Sequence, residues 1–165
     1  MKKKDKEVKL TSDIKTTVLE LMDRLHVEGS VDVEEEKSDP SEEANHFKVV
    51  IQTNETGLLI GRHGETLNSL QLILGVVLYK KMGKWIRVIL DVGDYRKVRE
   101  ESIKEMVGRI VAEVESIGQP VTLPYLTPLE RRIVHIMLAD NPKIMSESTG
   151  EGKERRVTIK PRQQG

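Results

Sequence analysis

The chain has 165 residues, no cysteine, and 27 Lys and Arg against 27 Asp and Glu. That length suits one ordinary domain or two small ones, and the missing thiols exclude disulfides and thiolate metal sites. Zero net charge hides an uneven spread: Glu28 to Glu43 is strongly acidic, while Gly57 to Arg99 and the C-terminal stretch lean basic, so an anionic ligand meets local positive potential.

Ile14, Val18, Leu21, Met22 and Leu25 recur at helical spacing, with Ser12 or Asp13 available as the cap and Gly29-Ser30 as the break. Met1 to Ser12 is read as a charged tail. Val31 and Val33 alternate with Asp32 and Glu34, a weak strand fading into a polar loop over Lys37–Asn45. Phe47, Val49 and Ile51 alternate more clearly. The short apolar turn Leu58–Ile60 leads into Gly61-Arg62-His63-Gly64. A helix follows with Leu67, Leu70, Leu74, Val77 and Leu78 on one stripe and Gly83 at its end. Ile86, Val88 and Leu90 make a third strand. Asp94 to Ile117 keeps a helical period until Gly118 and Pro120 stop it. Val121–Leu123 could be a short strand. Thr127-Pro128-Leu129-Glu130 is a helix start with a threonine cap, proline at the first position and glutamate at the third. Asn141-Pro142 ends that helix, and strands over Ile144–Thr149 and Arg155–Lys160 flank Gly150-Glu151-Gly152.

The Gly61–Gly64 segment resembles the GXXG loop of a KH domain, which clamps about four nucleotides of a single strand. Glycine permits close backbone approach, and the helix that follows offers unbonded N–H groups to phosphate. Arg62 can fork onto a phosphate; His63 can stack or donate, and an imidazole there lends the contact a pH-dependent component. Leu58, Ile60 and Leu67 are expected to line the groove beside the loop. The plain alternative is a structural turn whose glycines only permit close packing. The helix and strand added on the N-terminal side imply the type II order αββααβ. An anionic side chain at Gly64 is expected to weaken RNA binding and leave the fold intact.

In the C-terminal half, Arg131 and His135 lie one turn apart on a helix, with Leu129, Ile133, Ile136 and Met137 expected on the core side. Their spacing resembles the R-3-H motif of a single-stranded nucleic-acid-binding domain. On the last strand Arg155, Val157 and Ile159 point one way, while Arg156, Thr158 and Lys160 point the other. Lys153, Arg155, Arg156 and Lys160 join Arg131 and His135 as the expected nucleic-acid contacts. An ordinary solvated strand face is the alternative.

Together the two halves resemble one family, bacterial Jag, also called KhpB. The expected fold is α+β: a type II KH domain over 13–93, a long connecting helix over 94–118 and a small α+β R-3-H domain over 119–162, with a short tail after it. The resemblance implies a cytoplasmic regulator that binds single-stranded RNA, acts on messenger or small RNAs, is linked to cell elongation, division or sporulation, and works with a smaller KH-only partner protein. Longer members carry a separate N-terminal Jag domain and linker, and only Met1 to Ser12 precede the first expected helix here. No cofactor or metal is implied: His26, His46, His63 and His135 lack ligand spacing, and neither a nucleophile elbow nor a P-loop ending occurs. The longest apolar stretch, Leu72 to Tyr79, is too short to cross a bilayer, and Met1–Lys9 leads into no signal-peptide core, so no membrane insertion is expected. Two rival readings stand beside RNA binding. One is a nuclease-like site of Arg131, His135 and Glu147 or Glu151. The other is a protein adaptor docking through the acidic Glu34–Glu43 strip. The sequence leaves the oligomeric state open.

Overall fold

A computed structural model describes residues 3–36 and 46–162, with the backbone alone for residues 3–7. The Lys37–Asn45 loop, the acidic strip beyond Glu36 and the tail over 163–165 lie outside the described residues. The chain divides into two units, Met1–Tyr95 and Arg96–Gly165.

In the first unit, helix α1 spans Lys3–Arg24. It therefore begins well before the expected cap at Ser12 or Asp13. Nothing in this lysine-rich stretch breaks a helix, and Leu10, one turn before Ile14, packs against the same core. The helix ends ahead of Gly29, where His26 takes a left-handed φ of 56°. Strand β1 (Ser30–Glu36) pairs antiparallel with β2 (His46–Gln52), which runs parallel to β3 (Val88–Val92). A parallel pair cannot be closed by a hairpin. The crossover is made by α2 (Thr56–Ile60), a 3-10 turn over Arg62–Gly64, and α3 (Glu65–Met82). The sheet order is β1-β2-β3, so β3 is an edge strand.

This αββααβ unit closes over Ile14, Val18, Phe47, Val49, Leu74 and Leu90, among other buried side chains. Alternation on β2 and the 3.6-residue period on α3 supply opposing faces of that core, as the sequence patterns required.

The second unit opens with the long helix α4 (Tyr95–Ile117). The sequence treats this helix as a connector, yet its apolar positions Ile103, Val107 and Val114 sit in the second core with Leu126, Val134 and Val157. Strand β4 (Val121–Thr122), helix α5 (Pro128–Leu138), β5 (Ile144–Thr149) and β6 (Arg156–Pro161) complete it, with the sheet ordered β4-β6-β5 and both pairs antiparallel. Along β6, Val157 and Ile159 are buried while Arg156, Thr158 and Lys160 are part-exposed. The helices thus cover one side of this sheet and leave the other to solvent.

The start of α5 is a full capping box: Thr127 Oγ1 accepts from the Glu130 amide, and Glu130 Oε2 accepts from the Thr127 amide at 2.7 Å. The buried face of α5 differs from expectation. Glu130, Val134 and Leu138 face inward, whereas Leu129 and Ile136 are 68% and 63% exposed. Apolar residues cover more than half of this helix's circumference, on an arc from Ile136 round to Leu138, so periodicity alone does not choose which part of that arc is buried. The choice falls on Glu130, whose second oxygen accepts from Arg99 Nε of α4 at 2.7 Å. With its carboxylate matched on both oxygens, a glutamate can occupy a core-facing position.

Candidate nucleic-acid interface

Helix α2 ends at Gly61 because that residue takes φ 69° and ψ −169°, while its N–H still donates to the Gly57 carbonyl at 2.9 Å. A Cβ at Gly61 would run into the Thr66 hydroxyl, so only glycine fits. Arg62 follows, exposed; His63 is left-handed at φ 53°, and Gly64 at φ 79°. Gly64 is buried beneath the Tyr95 ring, where a Cβ would meet Cε1 at 3.0 Å. The expectation that an acidic substitution at Gly64 leaves the fold intact is therefore corrected: any side chain there is strained and must displace Tyr95. The tip of the loop, Arg62, still faces solvent, and Gly61 is half-exposed. The Glu65 amide donates to the Arg62 carbonyl, and no side chain caps α3 at Gly64, so the amides after Glu65 in the first turn remain for an anion arriving at the loop.

Beside the loop, α3 and β3 run in opposite directions. Gly64 meets Tyr95 at one end, Gln71 Oε1 accepts from the Leu90 amide at 2.9 Å in the middle, and Gly75 meets Trp85 at the other. A groove between them is lined by Asn68, Gln71, Leu72, Gly75, Trp85, Ile86, Arg87, Val88 and Ile89.

This lining differs from the expected one. Leu67 is 1% exposed and belongs to the core, so it contacts no ligand. The reason is register: Leu67 falls on the same α3 face as Leu70, Leu74 and Leu78, roughly a quarter of the way round the helix from Asn68, Leu72 and Gly75 on the groove side. Ile60 is half-buried against the core edge and Leu58 is exposed, neither lining the groove. Sequence reasoning missed Asn68, Gln71, Gly75, Trp85 and Arg87. Two signals pointed to them: a glycine inside an apolar helix, and a solitary tryptophan after the Gly83 stop.

The second unit sorts its expected contacts onto two sides of the sheet. Arg131, Arg132, His135, Ile136, Pro128, Ala139, Ser148 and Arg155 line one cleft. Arg131, His135 and Arg155 are each positioned by a neighbour. Arg131 Nη1 donates to the Leu126 carbonyl at 2.8 Å, and Arg155 Nε donates to Ser148 Oγ at 2.9 Å. His135 Nδ1 and Ser146 Oγ share a hydrogen bond of 2.8 Å. Arg132, Ser146, Ser148 and Ile136 were not foreseen as parts of this surface. Ile136 had been assigned to the core, and the one-position turn of α5 brings it into the cleft instead. The result is an apolar floor ringed by guanidinium groups, suited to a base with its phosphate.

Arg156 and Lys160 lie on the opposite, solvent-facing side of β6. Arg156 stands 5.6 Å from the centroid of the Tyr125 ring and 3.8 Å from Glu154. Lys160 pairs with Glu147 at 2.5 Å across the β5–β6 ladder. Lys153 sits exposed in the 3-10 turn Gly152–Glu154. These three therefore do not join the Arg131 cleft. Glu147 also points away from His135, because it pairs with Thr158 while Ser146 and Ser148 pair with buried Ile159 and Val157. Glu151 is exposed in the hairpin. Neither carboxylate assembles with Arg131 and His135 into the acid–base site considered above. Among the described residues no group of His, Asp or Glu could hold a metal ion, and no helix is long and apolar enough to cross a membrane.

Comparison with known proteins divides the chain in the same way. Residues 15–92 match the family described as KhpA/KhpB, KH domain, and residues 101–161 match the R-3-H domain family. A protein of Clostridium symbiosum named RNA-binding protein KhpB is 34% identical over 130 residues, 79% of this chain and 57% of the relative. Proteins of the same name from Lactiplantibacillus plantarum and Bacillus subtilis are 35% identical over 107 residues and 30% identical over 111 residues. The chain spans 33% of the former and 53% of the latter.

Proposed function

The chain belongs to the Jag/KhpB family, and from that premise we propose that it binds single-stranded RNA through two separate surfaces. The glycine loop with the α3–β3 groove is the first; the cleft of Arg131, His135 and Arg155 is the second. One observation carries the reading. The loop presents Arg62 to solvent at the uncapped start of α3, beside a groove open along an edge strand. Backbone amides and a guanidinium there suit phosphates, while the groove takes bases.

The protein acts by binding, not by catalysis, and its targets are messenger or small RNAs in the cytoplasm. Roles in cell elongation, division or sporulation, and cooperation with a smaller KH-only protein, are the physiological part of this proposal. The test is anisotropy titration of labelled adenylate and uridylate decamers over a salt series. Phosphate-driven binding loses affinity steeply as salt rises, about 0.7 in log–log slope per contact on a single strand. Failure to bind any decamer at low ionic strength overturns the reading.

A second reading, a protein adaptor built on the KH fold, is favoured by exposed Ile73 and Val76 on α3. Apolar docking of that kind would be nearly indifferent to salt.

A further inference from the structure

Trp85 is the chain's single tryptophan, and it is 63% exposed. An indole left in water contributes little to a core, and large apolar surfaces exposed in a groove mark binding sites. Its position is built. A Cβ placed on Gly75 of α3 would lie 3.5 Å from Trp85 Cη2 and 3.6 Å from Cζ2, ordinary contact distances, so the ring lies over this position of the helix with room for no more than a methyl beneath it. A side chain longer than alanine at 75 would press on the ring. Tyr79, one turn along, flanks the indole with centroids 6.1 Å apart and planes tilted by 48°. Leu72, exposed on the preceding turn, extends the same apolar floor.

The surroundings favour an anionic occupant. Lys84 precedes the tryptophan, Arg87 follows it on the groove wall, and Lys80 stands exposed on α3. No acidic side chain lines this groove. An apolar plate with Arg87 on its wall and no carboxylate in its lining fits a base with its phosphate better than it fits an apolar peptide. The plate also lies on the path from the glycine loop. Gly75 is about 16 Å beyond Gly64 along α3 at about 1.5 Å per residue, with Asn68 and Gln71 between them.

We propose that Trp85 is a stacking platform that grips an unpaired base at the far end of the α3–β3 groove. The proposal rests on the single-stranded RNA reading above and adds to it the residue that holds a base by its face. Because every base has a π-face, this grip adds affinity with little sequence preference. The strand runs from the phosphate contact at Arg62, past Asn68 and Gln71, to the indole.

The lone tryptophan reports on its own occupancy. The full chain is titrated with unlabelled adenylate and uridylate decamers while indole emission is followed, and affinity is measured in parallel by anisotropy. Stacking quenches emission along the same isotherm as binding. Trp85→Ala weakens binding about tenfold, Trp85→Phe restores most of it, and both keep the wild-type circular dichroism spectrum. Intact binding with unchanged emission overturns the proposal and leaves the RNA reading standing. So does Trp85→Ala with unaltered affinity, or a loss that Trp85→Phe does not repair. Absence of any binding by the wild type overturns the RNA reading itself, and this proposal with it.

Discussion

Replacing Arg62 and His63 together with aspartate tests the glycine loop without disturbing what holds it. Arg62 is exposed, and His63 already occupies a left-handed conformation that aspartate tolerates better than most residues. Neither position lies in the buried core, so the melting temperature should stay within the range of ordinary surface substitutions. The electrostatic consequence is larger. Arg62 is the loop's guanidinium, so one phosphate contact is lost and two anions are placed beside the strand. Near 4 Å a unit charge pair in water is worth about 1 kcal/mol, and the added repulsions are of similar order. Before screening these sum to roughly 2–3 kcal/mol, and screening at physiological salt leaves at least a tenfold loss of affinity. One fewer contact also lowers the salt slope by about 0.7. The wild-type advantage should therefore shrink by roughly 2.5-fold between 50 and 200 mM salt, measured by anisotropy with a uridylate decamer. A folded double variant with wild-type affinity and slope would refute the assignment of phosphate to this loop.

The two sides of the second sheet make a paired comparison. Arg155→Ala should weaken decamer binding and flatten the salt slope, because Arg155 lines the Arg131 cleft. Lys160→Ala should do neither, since that ammonium is paired with Glu147 on the other side; equal effects would erase the distinction. Glu130→Ala removes half of the capping box and the Arg99–Glu130 ion pair. A loss of about 3 kcal/mol is expected in urea unfolding of the second unit, and a change below 1 kcal/mol would contradict the inward placement of Glu130. Gly64→Asp should lower the melting temperature as well as RNA affinity, because the new Cβ crowds Tyr95 at a positive φ. Wild-type stability in a thermal melt would show that the ring yields freely.

Much of the architecture is legible in the chain because it rests on local rules. Phe47, Val49 and Ile51 alternate, and Leu67, Leu70, Leu74 and Leu78 repeat at helical spacing. Thr127-Pro128-Leu129-Glu130 carries its cap in four consecutive residues. Each pattern is set by backbone geometry within a few positions, so each survives into the fold as read. The glycine loop belongs to the same class, since the conformations at Gly61 and Gly64 are demands that only particular residues meet.

Tertiary packing decided the rest. Leu67 fits either a groove or a core by pattern, and only the placement of β2 and β3 commits it to the core. The rotation of α5 depends on Arg99, distant in sequence, which makes burial of Glu130 tolerable and turns Ile136 outward. The separation of Arg155 from Arg156 and Lys160 has functional meaning only once the helices cover one side of the sheet. Trp85 is a solitary aromatic in the sequence; Gly75 and Tyr79 make it a platform, by bringing a helix backbone under the indole and a phenol ring beside it. Spacing along the chain encodes what one element presents. What that element faces is set by partners far away in sequence, and there the fold alone supplies the answer.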